Sequence, residues 1–94
     1  MRDGVFRAIA DPQRRKILKL LQQGPMPAGR IAARFDITKG SLSYHFNVLK
    51  GAGLISCERR AQEQIYSLNT SVFEEIATML LDLFPASLAR RRKA

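Results

Sequence analysis

Two helical patterns separated by only two residues constrain the fold of this 94-residue chain more than any other feature. The first pattern covers about 28–35, with Ile31 and Phe35 on its apolar side. Asp36 and Ile37 follow, and Thr38 is then a residue type that favours the capping position at the start of a helix. Two short helices joined by so tight a turn form a helix-turn-helix, whose second helix enters the major groove of DNA in known cases.

The rest of the chain predicts a mainly α-helical protein with one small β-hairpin. Gly24 and Pro25 end a helix ahead of the pair, and residues 51–53 end the helix that starts after Thr38. A helix-turn-helix followed directly by a hairpin is a winged helix. The predicted elements are helices over about 3–10, 12–23, 28–35 and 39–50, strands over 54–59 and 64–68, and a last helix over 72–84. Residues 1–84 form one domain, and we expect the basic residues 85–94 to be a disordered tail.

The charge of the chain is strongly positive. Sixteen Lys and Arg stand against eight Asp and Glu, for a formal net charge of +8, and half of this excess lies in the run 90–93. Such an excess favours a polyanionic partner, either nucleic acid or an acidic membrane surface. No apolar run reaches the roughly 18 residues of a membrane span, so we expect no membrane insertion and a cytoplasmic location.

Residues for catalysis or metal binding are scarce. Cys57 is the only cysteine and His45 the only histidine, which leaves no intrachain disulfide and no Cys cluster for zinc. No pair of carboxylates, and no nucleophile with a base, shows the spacing of an active site. We therefore expect neither an enzyme nor a cofactor or metal site.

The outward face of the fourth helix is the candidate DNA-reading surface. On a helical wheel, Leu42, Phe46 and Leu49 form one inward stripe. The opposite side carries short or flat groups, with a cation at its rim: Gly40, Ser43, Tyr44, Asn47 and Lys39. Such groups fit a major groove about 12 Å wide and can bond to base edges or phosphates. An ordinary solvated helix face is the alternative interpretation.

Two further positions leave alternatives open. His45 borders the inward stripe, where it could contact a phosphate or a base, be satisfied by a neighbour inside the protein, or bind a metal. No second His or Cys exists to share a metal ion with it. Arg59, Arg60 and Gln62 lie at or near the hairpin turn. They could reach the DNA backbone or minor groove beside the fourth helix, or only form a charged strand edge that deters aggregation.

The last helix is apolar over well over half of its circumference, more than the roughly 100° that packing on one small domain requires. The surplus predicts a partner surface, and the simplest partner is the same helix of a second copy together with the first helix. Complete burial within one chain is the alternative. The predicted homodimer interface comprises Val5, Phe6, Ile9, Val72, Phe73, Ile76, Met79, Leu80 and Leu83.

Three motifs resemble those of one known family. FRAIADPQRRKILKLLQQG resembles the opening of the ArsR-type winged-helix repressors, ITKGSLSYHFNVLKGAGLI is similar to their recognition helix, and IYSLN to the end of their wing. The likeness covers about 5–83. It implies a homodimeric transcriptional repressor, associated with the nucleoid of a bacterium or archaeon, that binds an imperfect palindrome in double-stranded DNA through its recognition helix and dimerises through its first and last helices. A winged-helix module that binds protein or RNA is the alternative function.

The resemblance also assigns roles to single positions. Its recognition residues are Lys39, Ser41, Ser43, Tyr44 and His45, and its wing residue is Gln62. The Cys-Val-Cys motif and the Asp/His ligands of metal-sensing members are absent from AGRIAARF and VFEEIATMLLDLF, so the chain looks like the short SdpR-like subgroup without sensor ligands. Ala61 stands where the family usually has Gly at the wing tip, and Pro27 where it has a helix cap. The residues identify no ligand or partner that releases the protein from DNA.

Overall fold

The computed structural model describes residues 4–87, which form five helices and three strands. In chain order these are α1 (Gly4–Ile9), α2 (Pro12–Leu21), β1 (Met26–Pro27), α3 (Ala28–Ala32), α4 (Lys39–Gly51), β2 (Ile55–Arg60), β3 (Glu63–Leu68) and α5 (Thr70–Leu83). The predicted winged helix-turn-helix is confirmed. Residues 1–3, and residues 88–94 of the predicted disordered tail, lie outside the described residues.

Two helices are shorter than predicted because their last turns tighten. After α2, the amides of Gln22, Gln23 and Gly24 bond to carbonyls three residues back at 3.2, 3.2 and 3.1 Å, and Gly24 then takes a φ of 124°. After α3, the amides of Arg34 and Phe35 do the same at 3.0 and 3.1 Å. This three-residue spacing marks 3₁₀-type turns, which often finish an α-helix. The chain therefore keeps turning to about the predicted ends in a tighter form.

The sheet has three strands rather than the predicted two. Its strand order is β1-β3-β2, and both pairs are antiparallel. The unpredicted strand β1 joins the sheet through the pairs Met26↔Tyr66 and Pro27↔Ile65. Because proline has no N–H to donate, an edge strand is the place in a sheet that tolerates it. The segment between α2 and α3 is thereby tied to the hairpin.

The hairpin that forms the wing closes with a two-residue turn. β2 and β3 pair as far as Arg60↔Glu63, so only Ala61 and Gln62 are left to reverse the chain. Ala61 has a φ of 53°, in the left-handed region where the Cβ of any residue other than glycine is strained. Ala61, which stands where the resemblance implies a glycine, thus strains the wing tip.

Replacing Ala61 by glycine is expected to raise the free energy of unfolding by about 1 kcal/mol, because glycine adopts this φ without strain. Ala33 offers the matched control, since it is exposed with an ordinary helical φ of −63°. The same change there should lower the stability by about 0.5–1 kcal/mol, because glycine loses more backbone entropy on folding. Urea unfolding of the three proteins measures both effects. A loss of stability in Ala61→Gly would show that the turn needs its methyl group.

Side-chain caps start α2 and α4. Oδ1 of Asp11 accepts from the amides of Gln13 at 2.8 Å and Arg14 at 3.2 Å. Oγ1 of Thr38 accepts from the amide of Ser41 at 3.1 Å. Partial burial raises the pKa of Asp11, but these amide bonds and the charge of Arg14 outweigh it, so the net pKa lies below the ordinary 3.8. Both caps agree with the prediction from residue type, and the second fixes where α4 begins.

The end of α4 is fixed by a glycine turn. Gly53 has a φ of 78°, its amide donates to the carbonyl of Lys50 at 2.9 Å, and the amide of Leu54 donates to the carbonyl of Leu49 at 3.0 Å. These two bonds form the Schellman motif that ends many helices. The carbonyl of Leu54 accepts in turn from the amide of Asn69 at 2.9 Å, just before α5. One residue therefore joins the end of α4 to the start of α5.

The core lies beneath α4. Its largest side chains with less than 2% exposure are those of Val5, Ile17, Ile31, Leu49 and Leu54. The predicted inward stripe of α4 is confirmed, since Leu42, Phe46 and Leu49 are all buried. Phe46 stacks on Tyr66 of β3, with ring centroids 4.2 Å apart and ring planes inclined by 20°. α4 therefore rests on the sheet, which orients its other face toward solvent.

Candidate nucleic-acid interface

The predicted recognition residues of α4, with one exception, lie exposed along the helix. The exposed members are Lys39, Ser41, Ser43, Tyr44 and Asn47. Tyr44 has the largest side chain among them and is 62% exposed. The 13 residues of α4 include two lysines and no acid. Hydroxyls, an amide, an aromatic ring and positive charge thus share one accessible helix, a combination that suits the base edges and phosphates of a major groove.

His45 is the exception, because it is half-buried and bonded inside the protein. Its Nδ1 lies 3.2 Å from Nη1 of Arg14 on α2. Among the three interpretations that the sequence left open, a contact with a neighbouring side chain is the one observed. The bond occupies one ring nitrogen and leaves Nε2 for any contact with DNA. Residues 4–87 contain no group of three or more His, Cys, Asp or Glu that could hold a metal ion.

Arg14 is the residue of this region that the sequence analysis missed. It is only 8% exposed, although it carries a charge. Its Nε donates to the carbonyl of Ala8 at 2.7 Å, and its Nη2 donates to the carbonyl of Arg7 at 3.0 Å. Arg14 thus connects the end of α1 with His45 of α4. A signal existed in the sequence, because the buried residues of α2 are Arg14, Ile17, Leu18 and Leu21, and this spacing puts the arginine on the apolar stripe.

A second arginine, Arg15, also bonds to the end of α1. Nη1 of Arg15 donates to the carbonyl of Ile9 at 2.8 Å, next to the carbonyls that Arg14 holds. Carbonyls at the end of a helix have no partner within the helix, and cations stabilise that end. The double arginine of the DPQRR motif therefore fixes α1 against α2, in addition to adding positive charge.

The tip of the wing carries charges of both signs. Arg59, Arg60 and Gln62 are all exposed, as predicted. However, Nε of Arg60 lies 3.0 Å from Oε1 of Glu58, and the two side chains are 71% and 67% exposed. With Glu63 also at the tip, residues 58–63 carry two arginines and two glutamates. Such an exposed ion pair contributes roughly 0–1 kcal/mol, so Arg60 can exchange it for a phosphate at little cost.

Charge is distributed unevenly along the described chain. Residues 12–51, which include α2, α3 and α4, contain eight lysines and arginines and a single acid, Asp36. In contrast, α5 contains Glu74, Glu75 and Asp82 and no basic residue. The positive field therefore surrounds the helix-turn-helix, and α5 is a surface that a polyanion would avoid.

The predicted dimer surface on α1 and α5 divides into two sets. Val5, Val72 and Ile76 are 1%, 8% and 7% exposed within a single chain. These three residues belong to the core and leave little surface for a partner, so their place in the interface stays a prediction. The accessible members are Phe6, Ile9, Phe73, Met79, Leu80 and Leu83.

The second half of α5 is only loosely covered by the rest of the chain, although Leu80 packs against the core. From residue 77 to residue 84 no position is buried, and Leu81, Leu83 and Phe84 are 47%, 69% and 38% exposed. Three large apolar side chains exposed within about one helical turn are unusual on the surface of a monomer. Within residues 4–87, no helix has the length and apolar character needed to cross a membrane.

Known proteins resemble this chain over most of its length. A family model described as a helix-turn-helix domain matches residues 9–58. The transcriptional repressor SdpR of Bacillus subtilis (strain 168) is 50% identical over 80 residues, which cover 85% of this chain and 89% of that protein. A solved ArsR family transcriptional regulator has a TM-score of 0.79 at 27% identity, over 86% of this chain and 84% of that one. An ArsR-like transcriptional regulator from Rhodococcus sp. RHA1 has a TM-score of 0.77 at 26% identity, over 96% and 84%.

Proposed function

Since the chain belongs to the ArsR family of winged helix-turn-helix transcriptional regulators, we propose that it represses transcription by binding a palindromic operator as a homodimer. In this proposal α4 enters the major groove and the wing with Arg59 and Arg60 lies beside it. The observation that carries the proposal is the exposed, acid-free outer face of α4, which its buried stripe holds in one orientation. The protein would act in the cytoplasm, at the nucleoid of a bacterium or archaeon, without catalysing a reaction.

The dimer is supported by the apolar surface that one chain leaves exposed. Phe6 of α1 is 41% exposed, and Leu81, Leu83 and Phe84 at the end of α5 are 47%, 69% and 38% exposed. Pairing two such surfaces about a two-fold axis buries both. The same axis relates the two copies of α4, so a dimer of this kind reads half-sites about 34 Å apart, one helical turn of DNA.

The proposed function is tested by selecting bound sites from random duplexes and comparing their affinity with that of unselected DNA at about 150 mM salt. A specific regulator should prefer the selected palindrome by at least about 10³-fold. A uniform affinity that falls steeply with salt for every duplex would contradict the proposal, because it would reflect phosphate contacts alone.

Tyr44→Ala and Arg60→Ala are expected to affect DNA binding in different ways. Tyr44→Ala should reduce the preference for the selected site by about 1–3 kcal/mol, because the exposed ring lies on the proposed base-reading helix. Tyr44→Phe is the matched control, since it removes the hydroxyl and keeps the ring, and so distinguishes the contributions of the two. Arg60→Ala should instead weaken binding to all duplexes alike and lower the salt slope by about 1. Affinity titrations at several salt concentrations distinguish the two patterns, and an equal effect of Tyr44→Ala on every duplex would exclude base reading by Tyr44.

A further inference from the structure

We propose that Arg14 fixes the tautomer of His45, so that His45 presents Nε2–H to DNA and selects a hydrogen-bond acceptor there. Arg14 is then a positioning residue for DNA recognition, although it lies inside the protein. The inference rests on the proposed function of α4 as the recognition helix. It specifies which nitrogen of the half-buried histidine faces the nucleic acid. It also specifies that the hydrogen-bond partner of this nitrogen must be an acceptor.

The side chain of Arg14 has little freedom to move. Two of its three nitrogens donate to carbonyls at the end of α1, at 2.7 Å to Ala8 and 3.0 Å to Arg7. Its amide also donates to Asp11. With 8% exposure, the side chain has little solvent to exchange these partners for. The third nitrogen, Nη1, is thereby held 3.2 Å from the ring of His45.

The chemistry of the guanidinium and the imidazole determines which of the two donates the hydrogen bond. A guanidinium has only N–H donors and accepts no hydrogen bond. Nδ1 of His45 must therefore be the acceptor, which means that it carries no proton. A neutral imidazole has one N–H, and with Nδ1 unprotonated this N–H is on Nε2. Arg14 thus makes His45 a donor toward any ligand that approaches Nε2.

An Nε2–H donor on His45 selects hydrogen-bond acceptors on the DNA. In the major groove, acceptors are N7 of both purines, O6 of guanine and O4 of thymine, whereas the amino groups of adenine and cytosine are donors. Phosphate oxygens are acceptors as well. An Nε2–H group can pair with any of the acceptors and is repelled by the donors. A histidine without Arg14 could take the other tautomer and accept from an amino group, so fixing one tautomer narrows the set of partners.

The tautomer can be read directly because His45 is the only histidine of the chain. The probe is the two-bond ¹H–¹⁵N correlation spectrum of the labelled protein without DNA at pH 8.5. We expect a pure Nε2–H pattern for the wild type and for Arg15→Met, which removes a neighbouring arginine whose hydrogen bond goes to Ile9. Arg14→Met should show an admixture of the Nδ1–H form. An Nδ1–H pattern in the wild type, or identical spectra for wild type and Arg14→Met, would overturn the inference.

The contact with DNA is tested with two variants at His45 that differ in where an amide group is placed. The amide of Gln lies near the position of Nε2, and that of Asn near the position of Nδ1. We expect His45→Asn to weaken binding to the selected operator about tenfold more than His45→Gln, which corresponds to one hydrogen bond. This comparison needs no Arg14 variant, so it holds even where Arg14→Met fails to fold.

Chemically altered operators identify the source of the acceptor. If it is a base, replacing the contacted base by an analogue that lacks the acceptor, such as a 7-deaza purine for N7, should weaken binding of the wild type but not of His45→Asn. If it is a phosphate, a methylphosphonate at that position should have this effect instead. Equal affinities of His45→Gln and His45→Asn for a bound operator would overturn this inference alone. A protein that prefers no duplex would overturn the proposed function, whereas the tautomer would still be visible in the spectrum.

Discussion

Replacing Leu83 by aspartate is expected to convert the proposed dimer into a folded monomer that binds the proposed operator about 10²–10⁴-fold more weakly. Leu83 is 69% exposed in one chain, so the substitution leaves the core intact. In the proposed dimer the same position is covered, and burying an unpaired carboxylate there is too costly. A monomer engages one half-site and loses the gain from linking two binding modules. Light scattering measures the mass, and a titration with operator DNA measures the affinity.

Two further substitutions in α5 make this test specific. Thr78→Asp adds the same charge at an exposed position roughly 140° around the helix from Leu83, and it should leave the protein dimeric. Ile76→Asp should unfold the chain instead of separating two folded copies, because Ile76 is 7% exposed and belongs to the core. If Leu83→Asp remained a dimer by light scattering, the proposed interface on α5 would be wrong.

Phe46→Ala is expected to lower the free energy of unfolding by about 3–5 kcal/mol, which is the usual loss for a buried phenylalanine. Phe46 is 5% exposed and stacks on Tyr66, so its removal opens a cavity between α4 and β3. Domains are stable by only about 5–15 kcal/mol, so this loss is a large share of the free energy of unfolding. Because the proposed dimerisation would couple stability to protein concentration, urea unfolding should be measured at one fixed concentration.

Tyr44 supplies the matched control for Phe46. It is an aromatic residue of the same helix, but it is 62% exposed. Tyr44→Ala should therefore change the stability by no more than about 0.5 kcal/mol. Similar losses in the two variants would mean that α4 is not oriented by its buried stripe, and the division of the helix into a packing side and a reading side would fail.

Local chemistry explains what could be predicted from the sequence. Asp11, Thr38 and Gly53 act within a few residues of their own positions, and each cap or turn is where its residue type indicates. The periodicity of α4 is equally local, and it correctly separates Phe46 from Tyr44. These signals give the order of the elements and the candidate reading face.

Contacts between distant parts of the chain explain the rest. The strand β1 exists only because Met26 meets Tyr66, a partner far along the sequence. In the sequence Arg14 looks like an ordinary surface charge. Its role is visible only in the structure, where it bonds to residues of α1 and α4. A helical wheel likewise shows that α5 is widely apolar, but it cannot show that Ile76 is covered by the chain itself while Leu83 is not. Only the packed molecule distinguishes the two.

The hydrogen bond from the amide of Asn69 to the carbonyl of Leu54, at 2.9 Å, makes the wing an insertion between helices that are already joined. Residues 58–64 at its far end are all exposed. Their length and composition can therefore change without moving either helix. Grafting this segment from one relative to another would transfer the wing's proposed contribution to DNA affinity as a separate module, while α4 and the proposed pairing surface of the recipient stay as they are.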